Sequence, residues 1–174
     1  MNTLLILTVI GDDRPGLVEA LSRTISHHGG NWLESSMSRL AGKFAGIVQV
    51  SIPGGAAAAL QGELATLPDL RITVEESTES THQATGRRLH FTLVGQDRLG
   101  IVREVAAVLA RHAVNVESLA THTESAPMSG ETLFHAEAEL LAGPGLNPLD
   151  LKIDLERLSL DLVVDFTLDE VRPG

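Results

Sequence analysis

Two short polar stretches carry the side chains of this sequence that could do chemistry. The first is Gly11-Asp-Asp-Arg-Pro-Gly-Leu-Val and the second Gly95-Gln-Asp-Arg-Leu-Gly-Ile-Val, each followed by an asparagine, Asn31 or Asn115. Asp13 and Asp97 can oppose a cation. Gly16 and Gly100 permit close approach of a ligand to backbone, and unpaired amides at a helix start suit an anion. Asn31 and Asn115 offer both donors and acceptors. The candidate ligand-binding set is Asp13, Arg14, Gly16, Leu17 and Asn31, repeated as Asp97, Arg98, Gly100, Ile101 and Asn115. Each type also has an ordinary structural role. Asp before a helix caps it, Arg beside it forms a surface ion pair, and Asn after a helix makes a turn.

The spacing of the copies is constant, since 97 − 13 = 84 and 115 − 31 = 84. A fixed offset of this kind marks an internal duplication. An apolar run precedes each copy, so each reads as strand, tight polar turn, helix and second strand. Residues 3–10 are apolar on both faces, as a central strand covered on both sides requires. A helix is expected from Pro15 to His28, with Pro15 in its first turn and Leu17, Val18, Leu21 and Ile25 on one face. Gly29-Gly30 supplies a left-handed stop. A hairpin over 31–52 turns at Ala41-Gly42-Lys43, and an alanine-rich helix over 56–67 and a closing strand over 70–75 follow.

The second copy repeats this order. A strand is expected over 89–94, a helix over 100–112 and a strand over 114–123. A loop over 124–130, a strand over 131–141, a helix over 148–158 and a strand over 161–167 complete it. Ile101, Val102, Val105 and Leu109 take the places of Leu17, Val18, Leu21 and Ile25. The order β-α-β-β-α-β gives a four-stranded antiparallel sheet with two helices on one face, the ferredoxin-like arrangement. The fold class is therefore α+β, with one domain over 1–76, a polar linker over 77–87 and a second domain over 88–170. Ile6 and Ile10 fall on the helix-free face and call for cover from the sister domain or another chain. Their counterparts His90 and Val94 are more polar.

Composition narrows the function. The 174 residues carry a formal net charge of −10, which disfavours direct contact with nucleic acid or an anionic membrane. There is no cysteine, so thiolate chemistry is excluded and a reducing cytoplasm is the simplest compartment. The apolar N-terminus lacks a basic leader and a cleavage site, and no run approaches the roughly 20 residues of a membrane span. No Gly-x-Ser-x-Gly elbow, phosphate loop or His-Glu-x-x-His pattern occurs, so neither catalysis nor a metal is expected. His27, His28 and His112 stand at helix C-termini, where a cationic ring complements the dipole.

Asp13-Arg-Pro-Gly16-Leu-Val and Asp97-Arg-Leu-Gly100-Ile-Val, each with its following Asn, resemble ACT domains. These are small ferredoxin-like modules that bind amino acids and regulate metabolism. The resemblance covers both halves, and a tandem of two such modules is similar to the glycine cleavage system transcriptional repressor family. It implies a cytoplasmic, non-enzymatic, dimeric regulator that needs no cofactor and senses a small amino acid, glycine being the one the family points to. Its action would pass through a DNA-binding activator protein. In that reading the helix amides take the ligand carboxylate and Asp13 or Asp97 counters its ammonium, with a site completed by a neighbouring unit through sheet-edge pairing. The first motif also resembles the N-terminal ACT segment of formyltetrahydrofolate deformylase, whose catalytic domain no stretch here matches. A regulatory subunit of a biosynthetic enzyme and a ligand-free dimerisation module are the alternatives. Leu99 in place of Pro and Ala113 in place of Gly depart from the pattern. A non-glycine left-handed cap costs on the order of 1 kcal/mol, so another geometry is expected at the second helix end, and the first site is expected to be the better one.

Overall fold

A computed structural model of the protein describes residues 1–77 and 86–168. The chain separates into two compact units, Met1–Thr81 and His82–Gly174. The linker expected over 77–87 lies mostly outside the described residues, as do positions 169–170 of the second expected domain.

In the first unit β1 (Asn2–Asp12), α1 (Leu17–His27), β2 (Asn31–Leu40), β3 (Lys43–Pro53), α2 (Ala57–Leu64) and β4 (Leu70–Ser77) follow in order. The sheet runs β2-β3-β1-β4, every pair antiparallel. Leu5, Leu7 and Val9 of β1 are buried with Val48, Val50 and Ile52 of β3. They form one cluster with Leu21 and Ile25 of α1 and Leu60 and Leu64 of α2, so both helices cover the same sheet face.

The second unit repeats this with β5 (Arg87–Gln96), α3 (Ile101–Arg111), β6 (Asn115–Ser125), β7 (Thr132–Ala142), α4 (Pro148–Glu156) and β8 (Val163–Leu168). Its sheet order is β6-β7-β5-β8. Even the irregularities coincide. Each hairpin has a register shift, between Trp32 and Glu34 and between Val116 and Ser118. Its core is a separate cluster with Phe91 at the place of Leu7.

Several boundaries differ from expectation. Pro15 stands in the turn before α1, because Gly16 holds the left-handed conformation at φ 93° and the helix starts after it. Val18 and Val102 remain exposed, while Thr24 and Val108 complete the buried faces of the two helices. Hydrophobic spacing alone did not resolve which of adjacent apolar residues points inward. The second helix end does not adopt another geometry. Ala113 takes φ 52° as Gly29 takes 73°, and Val114 N–H donates to Leu109 O at 3.0 Å as Gly30 N–H does to Ile25 O at 2.9 Å. Packing of Val114 in the core outweighs the local strain, which is on the order of 1 kcal/mol. The strand β6 continues through Glu124 and Ser125, where a loop was expected.

The helix pairs are clamped by equivalent histidine–carboxylate hydrogen bonds. His28 Nε2 lies 2.7 Å from a Glu63 oxygen, and His112 Nε2 lies 2.9 Å from Asp154 Oδ2. The His28 hydrogen bond holds the Glu63 carboxyl below its ordinary 4.5. A lowered folded-state value means that this stabilisation is complete above pH 4.5 and fades as pH falls through the folded value. The gap in urea midpoint between the wild type and Glu63→Gln is therefore expected to be wider at neutral pH and to narrow as pH falls below 4.5. A gap that does not narrow with falling pH would assign the effect of Glu63 to packing instead.

Candidate functional site

The turn between β1 and α1 is built by backbone. Asp13 N–H donates to Gly42 O at 2.9 Å, tying the turn to the β2–β3 hairpin, and Ala20 N–H closes the first helical turn on Gly16 O at 2.9 Å. The hairpin connection itself carries positive φ at both Ala41 (49°) and Gly42 (78°), the two-residue geometry that matches strand twist. No side chain caps α1. Asp13 instead faces Arg39 Nε of β2 at 2.5 Å, and Arg14 reaches Asp69 at 2.9 Å. The helix start is thus left open to an anion, with Asp13 beside it.

Asp13, Arg14, Gly16 and Leu17 line one surface concavity together with Val18, Glu19 and Phe44. Leu17 is mostly buried and forms the floor. Phe44 was missed by sequence reasoning. Its signal lay in the hairpin, since a two-residue turn at Ala41-Gly42 sets Phe44 opposite Arg39, the residue that pairs with Asp13.

Asn31 does not stand with this turn. It pairs with Ser51, which pairs with Leu4, whereas the turn begins beyond Gly11. Seven strand residues separate those levels, roughly 20 Å. The helix α1 carries the chain back to the far end of the sheet before Asn31 is reached. Asn115 is displaced in the same way, level with Leu141 and Arg88.

At the second turn Asp97 N–H donates to Thr132 O at 2.9 Å, and Gly100 is left-handed at φ 86°. The surroundings differ from the first. Arg98 folds onto its own helix and meets Glu104 at 2.5 Å. That hydrogen bond holds Glu104 below its ordinary 4.5 and raises Arg98. Residue 20, at the place of Glu104, is alanine. Asp161, the counterpart of Asp69, accepts from the Ser159 hydroxyl and from Gln96 N–H at 2.7 Å, which keep its carboxyl below the ordinary 3.8. No side chain caps α3 either, and what distinguishes the second helix start is the Arg98–Glu104 pair beside it. Ile101 is buried in the core.

Residues 3–75 match the ACT domain family. The N-terminal unit is an ACT domain. The second unit has the same fold and register, so the chain is a tandem of ACT folds, four strands and two helices in each. No curated protein matches the chain. A solved structure of an unknown protein from Galdieria sulphuraria is 27% identical, with a TM-score of 0.85 over 97% of this chain and 99% of that one. A candidate glycine cleavage system transcriptional repressor is 20% identical, with a TM-score of 0.72 over 97% of this chain and 98% of that one. That second likeness establishes the shared tandem fold. Among the described residues no helix is long and apolar enough to cross a membrane.

Proposed function

We propose that the protein is a non-enzymatic cytoplasmic regulator whose first ACT domain senses a small amino acid, with glycine the leading candidate, and passes that state to a partner protein. The observation that carries this reading is the uncapped start of α1, with Asp13 beside it and Gly16 left-handed. A zwitterion fits such a place. Its carboxylate meets the helix amides and its ammonium meets Asp13.

The distant asparagines have a use in this reading. The strands β2 and β6 lie at the edges of their sheets. Antiparallel pairing of one edge with another unit's edge reverses direction, so the asparagine end of one strand comes beside the turn of the other. Apolar side chains exposed along these edges, Leu33 and Leu40 in the first unit and Val116 and Leu119 in the second, favour such pairing. A homodimer joined this way would supply each first turn with an asparagine. A chain of net charge −10 is poorly suited to hold phosphates itself. Control of transcription would then pass through a DNA-binding activator, as the resemblance to the repressor fold suggests.

The second unit supports a different use. Its Arg98–Glu104 pair stands beside the equivalent helix start, so we assign it an interaction role without ligand. Calorimetry of the whole protein against the common amino acids tests both assignments. One ligand per chain is expected, with binding weakened at least about tenfold by Gly16→Ala and little changed by Gly100→Ala. Alanine at φ 93° is strained by about 1–2 kcal/mol, so circular dichroism must confirm that the variant is folded. Failure of every amino acid to bind the wild type would refute sensing.

A further inference from the structure

The helix-free face of the second sheet holds a group of side chains that the regulatory reading does not use. His122 of β6 and His135 of β7 are directly opposed partners across the antiparallel pair. Their rings stack with centroids 4.8 Å apart and planes 6° from parallel. Glu124 lies two residues beyond His122, so it projects from the same face. His135 Nε2 sits 2.9 Å from Glu124 Oε1. Yet that nitrogen is buried and has no hydrogen-bond partner, because the carboxylate lies off the direction in which the ring nitrogen bonds.

We propose that His122, Glu124 and His135 form a binding site for a divalent transition-metal ion of the zinc type. Two imidazoles and a carboxylate are the donor set such ions take, with water completing the shell. Ligand atoms about 2.1 Å from one ion lie roughly 2.9–3.4 Å from each other. The His135–Glu124 separation of 2.9 Å already has that value. It is a short contact that makes no hydrogen bond, as expected of two ligands converging on a third atom. One donor atom from each of the three residues falls within 4.8 Å of the others. His122 and Glu124 are exposed, so rotation about their side-chain bonds, taking His122 out of the stack, closes the remainder. Glu137 lines the same concavity as His122 and His135 and adds negative charge to it.

The first unit provides an internal control. Its hairpin pairs Ser38 with Ala45 and Leu40 with Lys43 where the second pairs His122 with His135 and Glu124 with Leu133. The corresponding positions 38, 40 and 45 are Ser, Leu and Ala, none of which ligates. The donors are therefore not demanded by the fold. Bound metal would fasten the edge strand β6 to β7.

The other histidine group, His27 and His28 with Glu63, differs in having its nitrogens engaged. Both rings hydrogen-bond to the one Glu63 oxygen, at 3.4 and 2.7 Å. It serves as the competing site in the test. The full-length protein, stripped with chelator, is titrated with Zn²⁺ by calorimetry at pH 7.5, and Co²⁺ absorption reports coordination. One equivalent per chain is expected. His122→Ala, at an exposed position, should weaken binding at least about tenfold, the scale at which even outer-shell changes act, and should alter the Co²⁺ spectrum. His135→Asn should do the same, and His28→Asn should leave both readouts unchanged. Unchanged binding in His122→Ala, loss confined to His28→Asn, or no binding by the wild type would each overturn the proposal.

Discussion

Replacing Gly11 with alanine is expected to destabilise the first unit by about 3 kcal/mol, the upper end of overpacking costs. For a domain of this size that lowers Tm by roughly 15 °C. A Cβ at Gly11 would lie 2.2 Å from the Asp69 carbonyl oxygen and 2.9 Å from Leu70 Cδ2. The nearer obstacle is backbone, and it belongs to the segment entering β4, so relief requires the last strand to move. At the equivalent Gly95 the nearest atom is Leu162 Cδ2 at 2.4 Å, and the nearest backbone atom is 3.6 Å away. A methyl group at the end of a leucine can rotate aside, so Gly95→Ala should cost only about 1 kcal/mol. The asymmetry is the sharper part of the expectation. Displacing Asp69 also breaks its 2.9 Å pair with Arg14, so Gly11→Ala should weaken any ligand held by the first turn. Urea unfolding of the two variants decides the matter. Equal costs would mean that β4 shifts freely.

The duplicated turn was legible because it rests on local chemistry. Gly16 and Gly100 are the residues that tolerate φ near 90°, and they recur at a fixed spacing. The strand and helix order followed from the same repetition. What the sequence hid depends on where the chain goes after the motif. Asn31 comes four residues after α1 ends, but an 11-residue helix travels about 16 Å away from the turn. Proximity to the motif in sequence became distance in space. The His122–Glu124–His135 group was hidden for the opposite reason. Thirteen positions separate the two histidines, against seven between Ser38 and Ala45. The longer second hairpin loop makes that cross-strand register unreadable until the turn is seen. A metal pattern written across two strands has no fixed spacing. Reading Glu124 as loop concealed it further, since only a strand places residues 122 and 124 on one face.

Phe91→Ala should carry the largest cost of any change considered, about 4 kcal/mol. Phe91 is 1% exposed at the centre of the second core, and its ring lies 5.3 Å from that of Phe166, tilted by 39°. Truncation removes the transfer free energy of the ring and the ring–ring contact, and it leaves a cavity. The cavity term depends on whether neighbours can close in. Here they are held apart, since Phe91 already borders an apolar cleft with Val105, Leu109, Phe134 and Ala138. Removing the ring merges its space with that cleft. Phe91→Leu reproduces the residue found at the equivalent place in the first unit, Leu7. It should cost only about 1–1.5 kcal/mol, because most of the apolar volume is kept. Hydrogen exchange adds the location of the loss. Faster exchange is expected at the amides of β5, β7 and β8, the strands that frame this core. If Phe91→Ala cost no more than Phe91→Leu, the second core would have to collapse around the missing ring. The cleft between α3 and β6 would then be the part of the unit that moves.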